Sequence, residues 1–562
     1  MNFIILDNRR LLIRVPYRPD NGALLTAVDP RRAWDRERKL WTFPAEPEVA
    51  VRLRDFLAIQ DTSLPQDVRD LIARRNGSAR MATPPDFAPL DGYDWLTTPY
   101  EHQRRGAAEL LANQRWLLAW EMGCGKSHVV CNRLRLGIRR SDFNGPILIL
   151  CPKSVVGVWR NELRQHAGLE CAVLEGTVTK KVTALRSATE NKNGKLPIVV
   201  ANYETLLSLV GDMVQCKFDV VVADECQRAK NLSTRTSKLL RKVSAAARYH
   251  WALSGTPAPN GIQDIFGTLT FLDPDILGSE SKVALEARYC LKRELPNQPK
   301  VRVICGYKEL DDLNARITSV SSRVLKADCL DLPPKVFVER RVKLEGDQAR
   351  VYKEMKRQAV ARLNEAGDVL SAKNVLTEVL RLLQICGGHV PDDDGTMHAL
   401  KPNAKLEALD EVLEETGDKP VVIWCSFREE LAAVAAMLAT GEHVRPAVQF
   451  HGGCNDAVRR EAIAWFQDNN SAPRRAFIAT PQSGGMGITL TAADTEVFYS
   501  RTWNLQDWLQ AVDRPHRIGQ TRCLTVISLV ADGTVDEKIA EALTRKIDFQ
   551  ELILRGKVAE VL

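Results

Sequence analysis

The sequence lacks any apolar run near the roughly 20 residues that a helix needs to cross a bilayer. Its first residues, MNFIILDNRRLLIRV, also lack the succession of basic, apolar and small residues that makes a secretory signal. Internal repeats and low-complexity tracts are absent as well. These absences argue against a membrane-spanning or secreted chain, so we expect a cytoplasmic protein with no membrane partner.

Regularly spaced cysteines are lacking: thirteen are scattered among 562 residues, many inside apolar runs such as PILILCP and VVIWC. An odd, scattered set of this kind favours buried, reduced thiols over a disulfide framework. The sequence also has little excess of one charge, because 78 Lys and Arg against 71 Asp and Glu leave a net charge of +7. That balance permits a polyanionic partner without requiring one.

Short apolar runs rich in β-branched residues are abundant, and they fall into two groups separated by helix-like segments. Uniformly apolar strands that alternate with helices indicate a parallel sheet covered on both faces. We therefore predict an α/β fold with two lobes. The predicted strands are Trp116–Ala119, Ile147–Cys151, Ile198–Ala201, Val220–Ala223 and Trp251–Leu253 in the first lobe, and Val421–Cys425, Ala476–Ala479, Val497–Tyr499 and Thr525–Val530 in the second.

A chain of this length, roughly three to four times a usual domain, is expected to contain several domains. The shifts in composition predict a β-rich module over 1–61, a Pro- and Gly-containing linker over 62–95, the first lobe over 96–275, a mainly helical insertion and bridge over 276–400, and the second lobe over 401–562.

A phosphate-binding loop, Gly123-Cys124-Gly125-Lys126-Ser127, stands between the first predicted strand and the helix after it. Glycines let backbone amides approach phosphates closely, and a helix N-terminus adds its positive dipole end. Lys126 would reach the β- and γ-phosphates of ATP, and the Ser127 hydroxyl would hold Mg²⁺. The loop therefore predicts an ATP site, although the strict pattern has glycine where Trp120 stands.

Two adjacent carboxylates, Asp224 and Glu225, end a buried strand of the same predicted sheet. Asp224 would help to hold Mg²⁺ through water, and Glu225 would polarise the attacking water. An acidic pair at a strand end is usually a solvated loop. Its place after a phosphate loop favours the second acidic element of a nucleotide site, the Walker B motif.

The second lobe contributes Arg514 and Arg517 within QAVDRPHRIGQ. On a helix, residues three apart share a face. Guanidinium groups inserted across a cleft can neutralise the charge that develops on the γ-phosphate. A lone pair of arginines at this spacing is more often a solvated surface, but its combination with the phosphate loop predicts a catalytic pair that acts with Lys126, Asp224 and Glu225.

Short motifs follow one another in order along both lobes. The first lobe contains PYEHQ, EMGCGKS, CPKSVVGVW, ANYETL, DECQRAKN and LSGTPAPN. The second contains VIWCSF, FHGG, QSGGMGITLTAAD, RTWN and QAVDRPHRIGQ, and DLPPK and LLQICGGH lie between the lobes. Over roughly residues 96–545 this order resembles Swi/Snf-type ATPases of helicase superfamily two. The resemblance implies two RecA-like lobes that use ATP and Mg²⁺ and act on DNA.

The resemblance also implies roles for further residues. Nucleotide contacts would come from Gln103, which resembles the adenine-reading glutamine, and from Met122, Gly123, Cys124, Gly125, Gln227, Gly485 and Gly487. Ser254, Thr256 and Gln510 would couple the ATP site to the nucleic acid. Sequence-independent contacts with nucleic acid would come from Lys153, Ser154, Tyr203, Thr480 and Trp503.

The sequence departs from the family pattern at Trp120, Cys124 and Cys226-Gln227. None of these departures removes a ligand of metal or phosphate, so we expect hydrolysis to persist. Cys124 beside Lys126 has two interpretations: an oxidisable thiol of lowered pKa, or an inert side chain that fills the loop. The second interpretation is favoured.

The first 60 residues resemble the HARP-like domain of annealing-helicase relatives, through Tyr17, Arg31–Trp34 and Leu40–Pro44. Basic residues interleaved with tryptophans suit contact with nucleic acid by stacking and charge. The same aromatic residues would also serve as the core of a small domain, and both interpretations stay open.

The function that the resemblance implies is ATP-driven translocation along duplex or forked DNA, with remodelling or annealing of forks as an extension. One alternative is a strand-separating helicase for DNA or RNA, RNA being the less favoured partner. Another is a nucleotide-gated binding or assembly factor with negligible turnover, which the complete catalytic set disfavours. Since both halves of the site lie in one chain, we expect a monomer of bacterial or viral style.

Overall fold

The structure is a computed structural model that describes residues 3–7, 10–14, 25, 33–35, 38–44, 49–50, 53–54, 57, 63–69, 90, 92–190, 196–295, 298–365, 372–392, 394–440, 444–468, 470–484 and 488–555. Two parallel sheets flanked by helices form two lobes, and a small antiparallel sheet precedes them. The predicted fold class is confirmed. Among the described helices, none is both long and apolar enough to cross a membrane.

The N-terminal sheet has the strand order β1-β2-β4-β3, with all neighbours antiparallel. Leu11, Ile13 and Phe43 are buried in a small core of its own. Tyr17 and Arg31, on which the HARP-like resemblance partly depends, lie outside the described residues. The strands are β1 Phe3–Asp7, β2 Arg10–Arg14, β3 Ala33–Asp35 and β4 Leu40–Pro44.

The first lobe is built on strands that are buried along nearly their whole length, as their uniformly apolar sequences predict. In Ile147–Cys151, for example, alternate side chains enter two different cores, one on each face of the sheet. The strands are β5 Arg115–Leu118, β6 Ile147–Cys151, β7 Ala172–Val173, β8 Ile198–Asn202, β9 Val220–Asp224 and β10 Tyr249–Leu253. The helices are α1 Glu101–Ala112, α2 Lys126–Arg139, α3 Val156–Glu162, α4 Val178–Thr189, α5 Thr205–Gln215, α6 Arg235–Ser244 and α7 Ile265–Leu272.

The bridge contains the expected helices, and it also contains strands that the sequence patterns do not indicate. Two of them connect the lobes: β13 (Ser321–Ser322) joins the first sheet beside β5, and β14 (Lys335–Val342) is an edge strand of the second sheet. The residues of β14, KVFVERRV, are mostly exposed, so they form no apolar run. The bridge comprises α8 Lys282–Tyr289, β11 Cys290–Leu295, β12 Gln298–Tyr307, α9 Leu310–Thr318, β13 Ser321–Ser322, α10 Lys326–Cys329, β14 Lys335–Val342, α11 Gly346–Glu365, α12 Ala372–Cys386, β15 His389–Pro391 and β16 Met397–Ala399.

The second lobe repeats the parallel design. Its sheet has the order β14-β21-β20-β17-β19-β18, and the first lobe has the order β13-β5-β10-β9-β6-β8-β7. In each lobe the loops at the carboxyl ends of the strands carry the predicted site residues, as is usual for open α/β sheets. The remaining elements are α13 Ala404–Thr416, β17 Val421–Trp424, α14 Arg428–Thr440, β18 Ala447–Phe450, α15 Asp456–Gln467, β19 Ala476–Ala479, α16 Pro481–Gly484, β20 Thr495–Phe498, α17 Leu505–Val512, β21 Leu524–Ala531 and α18 Val535–Arg555.

Candidate ATP site and nucleic-acid cleft

The phosphate loop leaves β5 and enters α2, whose first two residues are Lys126 and Ser127. Gly123 and Gly125 have φ values of 82° and 80°, a left-handed conformation that favours glycine. The Lys126 ammonium donates to the carbonyl oxygens of Trp120 at 2.9 Å and Glu121 at 3.1 Å. The loop thus has the backbone shape and the cation that a phosphate cradle needs.

Gln103 lies against this loop, as a nucleotide-reading residue should. Its amide nitrogen donates to the carbonyl of Cys124 at 3.4 Å, and its amide oxygen accepts from the backbone of Tyr100 at 3.1 Å. A Cβ on Gly125 would lie only 2.1 Å from the Gln103 amide nitrogen. Glycine at 125 is therefore required by the close approach of Gln103 as well as by its own φ.

Cys124 itself is fully buried, and burial raises its thiol pKa to about 12. Lys126 acts in the opposite direction, but its effect on the pKa is smaller. The interpretation of Cys124 as a thiol of lowered pKa is therefore wrong, because loss of water outweighs the nearby ammonium.

The acidic pair lies at the end of β9. One Asp224 carboxylate oxygen accepts from the Trp159 indole at 2.8 Å, and the other accepts from the backbone of Glu225 at 3.0 Å. Burial, reinforced by the charge of Glu225, raises the pKa of Asp224. A divalent cation would offset that anionic pair, so the donors suit Mg²⁺ held by Ser127 and Asp224. Trp159 orients Asp224, a role that its place in CPKSVVGVW did not reveal.

Glu225 is the centre of a chain of hydrogen bonds that joins the two lobes. From the second lobe, Gln510 donates to one Glu225 oxygen at 3.4 Å. Gln227 donates to the other, and the Gln227 amide oxygen accepts from Ser254 at 2.7 Å. The Ser254 hydroxyl accepts in turn from the backbone of Thr256 at 3.0 Å. The structure therefore brings together the three residues for which coupling is predicted, Ser254, Thr256 and Gln510, and joins them through Glu225 and Gln227.

The predicted arginines face the same region from the second lobe. Arg514 is 3% exposed, and its Nε has no partner among the described residues. Burial, with Arg517 beside it, lowers the pKa of Arg514 to about 9, while Glu225 acts to raise it. The guanidinium of Arg517 donates to Thr489 at 3.3 Å. A buried cation with an unsatisfied donor fits an anionic ligand such as a nucleotide phosphate.

The expectation that these arginines share a helix face is wrong. Helix α17 ends at Val512, and Arg514 and Arg517 lie in the turns that follow. Pro515 explains the ending, because proline disfavours helical backbone at the residue before it and has no N–H for the helix ladder.

A second, wider cleft lies between the lobes and has a volume of about 1310 Å³. Lys153 and Ser154 line it and are exposed, as predicted for residues that contact nucleic acid. Cationic side chains outnumber acidic ones along its walls by six to two. The cations are Lys153, Arg160, Lys181, Arg228, Arg459 and Arg460, and the acids are Glu175 and Glu204. Such a surface suits a phosphate backbone.

Tyr203 does not reach this cleft, so its predicted contact through the side chain is wrong. The ring is 2% exposed and fills the core, and its hydroxyl donates to the carbonyl of Asp224 at 2.8 Å.

Trp503 packs in a cluster with Leu505 and Ile539 instead of lining the cleft. The Thr480 hydroxyl lies 2.7 Å from that of Ser483. Met122 is buried beside Gly255. Gly485 and Gly487 lie outside the described residues.

Family matches agree with this division into two lobes. Residues 92–389, more than half of the chain, match the SNF2-related domain. The chain belongs to the SNF2-related family. Residues 404–519 match the helicase conserved C-terminal domain. The resemblance to Swi/Snf-type ATPases is thus confirmed, and the HARP-like character of the N-terminal module stays a prediction.

Two curated relatives of this SNF2-related chain are much longer proteins. The ISWI chromatin-remodeling complex ATPase ISW1 of Saccharomyces cerevisiae is 26% identical over 83% of this chain and 40% of its own length. The SWI/SNF-related matrix-associated actin-dependent regulator of chromatin subfamily A member 1 of Homo sapiens is 27% identical over 83% and 43%. The solved Sulfolobus solfataricus SWI2/SNF2 ATPase core in complex with dsDNA is 24% identical over 84% of this chain and 96% of that chain, with a TM-score of 0.39. The chain thus spans under half the length of the two curated relatives.

Proposed function

We propose that this protein is a DNA-dependent ATPase that uses hydrolysis to translocate along duplex DNA. The observation that carries the proposal is the position of Glu225, which accepts hydrogen bonds from Gln510 of the second lobe and Gln227 of the first. Any movement of one lobe against the other changes the surroundings of this carboxylate. Hydrolysis and lobe movement are then linked through the group that orients the attacking water.

The residues of the site divide the chemistry among them. The amides of the phosphate loop and Lys126 bind the phosphates, and Lys126 exchanges its backbone carbonyl partners for phosphate oxygens. Ser127 and Asp224 would hold Mg²⁺, which neutralises phosphate charge and orients the reacting group. Glu225 aligns water for in-line attack, and Arg514 and Arg517 stabilise the charge that develops on the γ-phosphate.

The nucleic acid is expected to lie in the wide cleft between the lobes. Lys153 and Ser154 from the first lobe and Arg459 and Arg460 from the second line its opposite walls. Phosphate contacts carry no sequence information, so the grip would be independent of sequence. If the two walls hold the same strand, alternate closing and opening of the lobes would advance the protein along it.

Duplex DNA is the proposed substrate, with forks as a finer possibility connected to the N-terminal module. Two relatives are named as a chromatin-remodeling ATPase and a regulator of chromatin. These names support duplex DNA as the proposed substrate. Association of the N-terminal module with forked DNA rests on its HARP-like resemblance alone. We therefore keep annealing or fork remodelling as an extension of the main proposal.

The rate of steady-state ATP hydrolysis at one moderate salt concentration tests the proposal. It is measured in separate reactions without nucleic acid and with single-stranded DNA, duplex DNA, forked DNA or RNA. Duplex or forked DNA should stimulate hydrolysis strongly, and Glu225→Gln should greatly reduce the stimulated rate. Displacement of a triplex-forming strand should accompany hydrolysis on a duplex. Stimulation by single strands or RNA alone, or unwinding of tailed duplexes without triplex displacement, would instead indicate a helicase. No hydrolysis on any substrate would indicate a nucleotide-gated binding protein.

A further inference from the structure

Lys326 belongs to none of the sequence motifs. It connects the phosphate loop to the loop of the second lobe that carries Arg514 and Arg517, called here the arginine loop. It is the first residue of α10 in the bridge and is 4% exposed. Its ammonium lies 2.7 Å from a carboxylate oxygen of Asp513 and donates to the carbonyl of His516 at 3.0 Å. Both partners flank the predicted catalytic residue Arg514 in sequence.

The backbone of the bridge holds Lys326 in place beside the first lobe. The segment before it pairs with the chain that leads into the phosphate loop, since Ala119 donates to Ser322 at 3.0 Å and Glu121 donates to Val324 at 2.9 Å. The backbone N–H of Lys326 itself donates to the Glu121 carboxylate at 2.6 Å. Only the side chain of Lys326 is thus left to change partners when the lobes move.

That side chain borders the phosphate cradle. A Cβ built on Gly123 would lie 3.3 Å from Cε and 3.7 Å from Nζ of Lys326. Phosphates held by the amides of the loop would therefore bind beside a second ammonium group, in addition to that of Lys126. A site in which the dielectric is low strengthens such a charge-assisted contact.

A second cation lies beside Asp513. Lys326 could therefore move away without leaving this largely buried carboxylate unpaired. The ammonium of Lys335 lies 3.5 Å from the same Asp513 oxygen. Removing the sole partner of a buried charge is strongly destabilising, whereas one of two partners can be exchanged at lower cost. The arrangement suits a cation that changes partners better than a fixed ion pair.

We propose that Lys326 is a phosphate ligand supplied by the bridge, which moves from Asp513 and His516 to the nucleotide when ATP binds and so releases the loop that carries Arg514. The proposal rests on the ATP site proposed above. It adds a third segment of chain, the bridge, to a site otherwise formed by the two lobes. It also gives the arrival of ATP a direct effect on the arginine loop.

Equilibrium binding of a non-hydrolysable ATP analogue with Mg²⁺ tests this idea independently of turnover. Lys326→Met should weaken binding about ten- to hundredfold, as expected for loss of a charge-assisted contact. Asp513→Asn should strengthen binding by a few-fold, because it removes the competitor for the ammonium. The double variant should bind like Lys326→Met. If both single variants and the double variant weaken binding equally, the pair is only a structural link and the proposal is overturned.

Two further variants make the outcomes separable. Lys343→Met removes the same charge from an exposed position of the bridge, and it should alter affinity by less than about threefold; an effect equal to that of Lys326→Met would assign the loss to general charge and contradict the proposal. Lys126→Ala tests the ATP site itself. If Lys126→Ala loses binding and Lys326→Met does not, the assignment of the ATP site is supported and Lys326 is not a phosphate ligand. If wild type and Lys126→Ala bind the analogue alike, the assignment of the ATP site itself is wrong. Because Asp513→Asn predicts a gain, misfolding of a variant cannot imitate that result.

Discussion

The lobes meet in two ways that differ in how their charges are arranged. On the ATP side, largely buried groups make a few specific contacts, as Gln510 does with Glu225 and Lys326 does with Asp513. In the wide cleft, cations line an open space of about 1310 Å³ and outnumber the acids. Within this cleft, Arg228 and Glu204 form an ion pair at 3.3 Å in which both side chains are exposed.

Because of this difference, the two clefts should respond differently to substitution. A buried polar group is strongly coupled to its few specific partners, so a single change can have a large effect. A row of exposed cations acts through a summed potential, so each contributes little and salt screens all of them. Substitutions on the ATP side should therefore have larger effects than substitutions in the wide cleft.

Glu225→Gln should reduce the DNA-stimulated hydrolysis rate by about 10²–10⁴-fold, since an amide cannot act as the base that polarises water. Single-turnover hydrolysis measures the change, and retention of DNA binding at low salt would locate the loss in chemistry. Glu204→Gln, which removes a carboxylate from the other cleft, is the matched control. Comparable losses in the two variants would contradict the distinction between the clefts.

Arg514→Gln should lower kcat by about 10²–10³-fold, in the range known for removal of one preorganised transition-state donor. The physical reason is that Arg514 is buried with an Nε that has no partner among the described residues. Steady-state kinetics with saturating DNA gives the value. Arg428→Gln, at an exposed position of the same lobe, serves as control. A normal kcat in Arg514→Gln would show that Arg514 has no role in catalysis.

Gln510→Ala should have an intermediate effect, reducing DNA-stimulated turnover about two- to tenfold. It removes one neutral hydrogen bond, and Glu225 keeps the bond from Gln227. The stimulation ratio, measured with and without duplex DNA, reports the coupling between lobes. An unchanged ratio would mean that the contact between Gln510 and Glu225 plays no part in that coupling.

The sequence was sufficient to predict the elements whose information is local. Runs such as Ile147–Cys151 are apolar because both faces of the sheet are covered. Gly123 and Gly125 indicate the conformation of the loop because glycine favours the positive φ found at both positions. Strand β14 escaped prediction because an exposed edge strand has a mixed sequence. Its partner is about 190 residues away in the chain, which local patterns cannot indicate.

Side-chain partners were harder to predict than elements. Tyr203 occurs in a motif and was expected to touch nucleic acid, yet its ring faces inward and its hydroxyl supports Asp224. Lys326 carries no motif, and its position depends on pairing between the bridge and the strand before the phosphate loop. A motif therefore identifies a region of chemistry, while the direction of each side chain depends on the packing around it.

The smallest single effects are expected in the wide cleft. Lys153→Gln and Arg459→Gln should each weaken duplex DNA binding only a few-fold, and each should reduce the slope of log affinity against log salt by about one if the cation contacts one phosphate. Because the two residues lie on different lobes, their effects on binding free energy should add. Titrations of labelled duplex at several salt concentrations give both quantities. Strong non-additivity, or an unchanged salt slope, would show that these cations act as paired groups like those of the ATP side, and the contrast between the two clefts would fail.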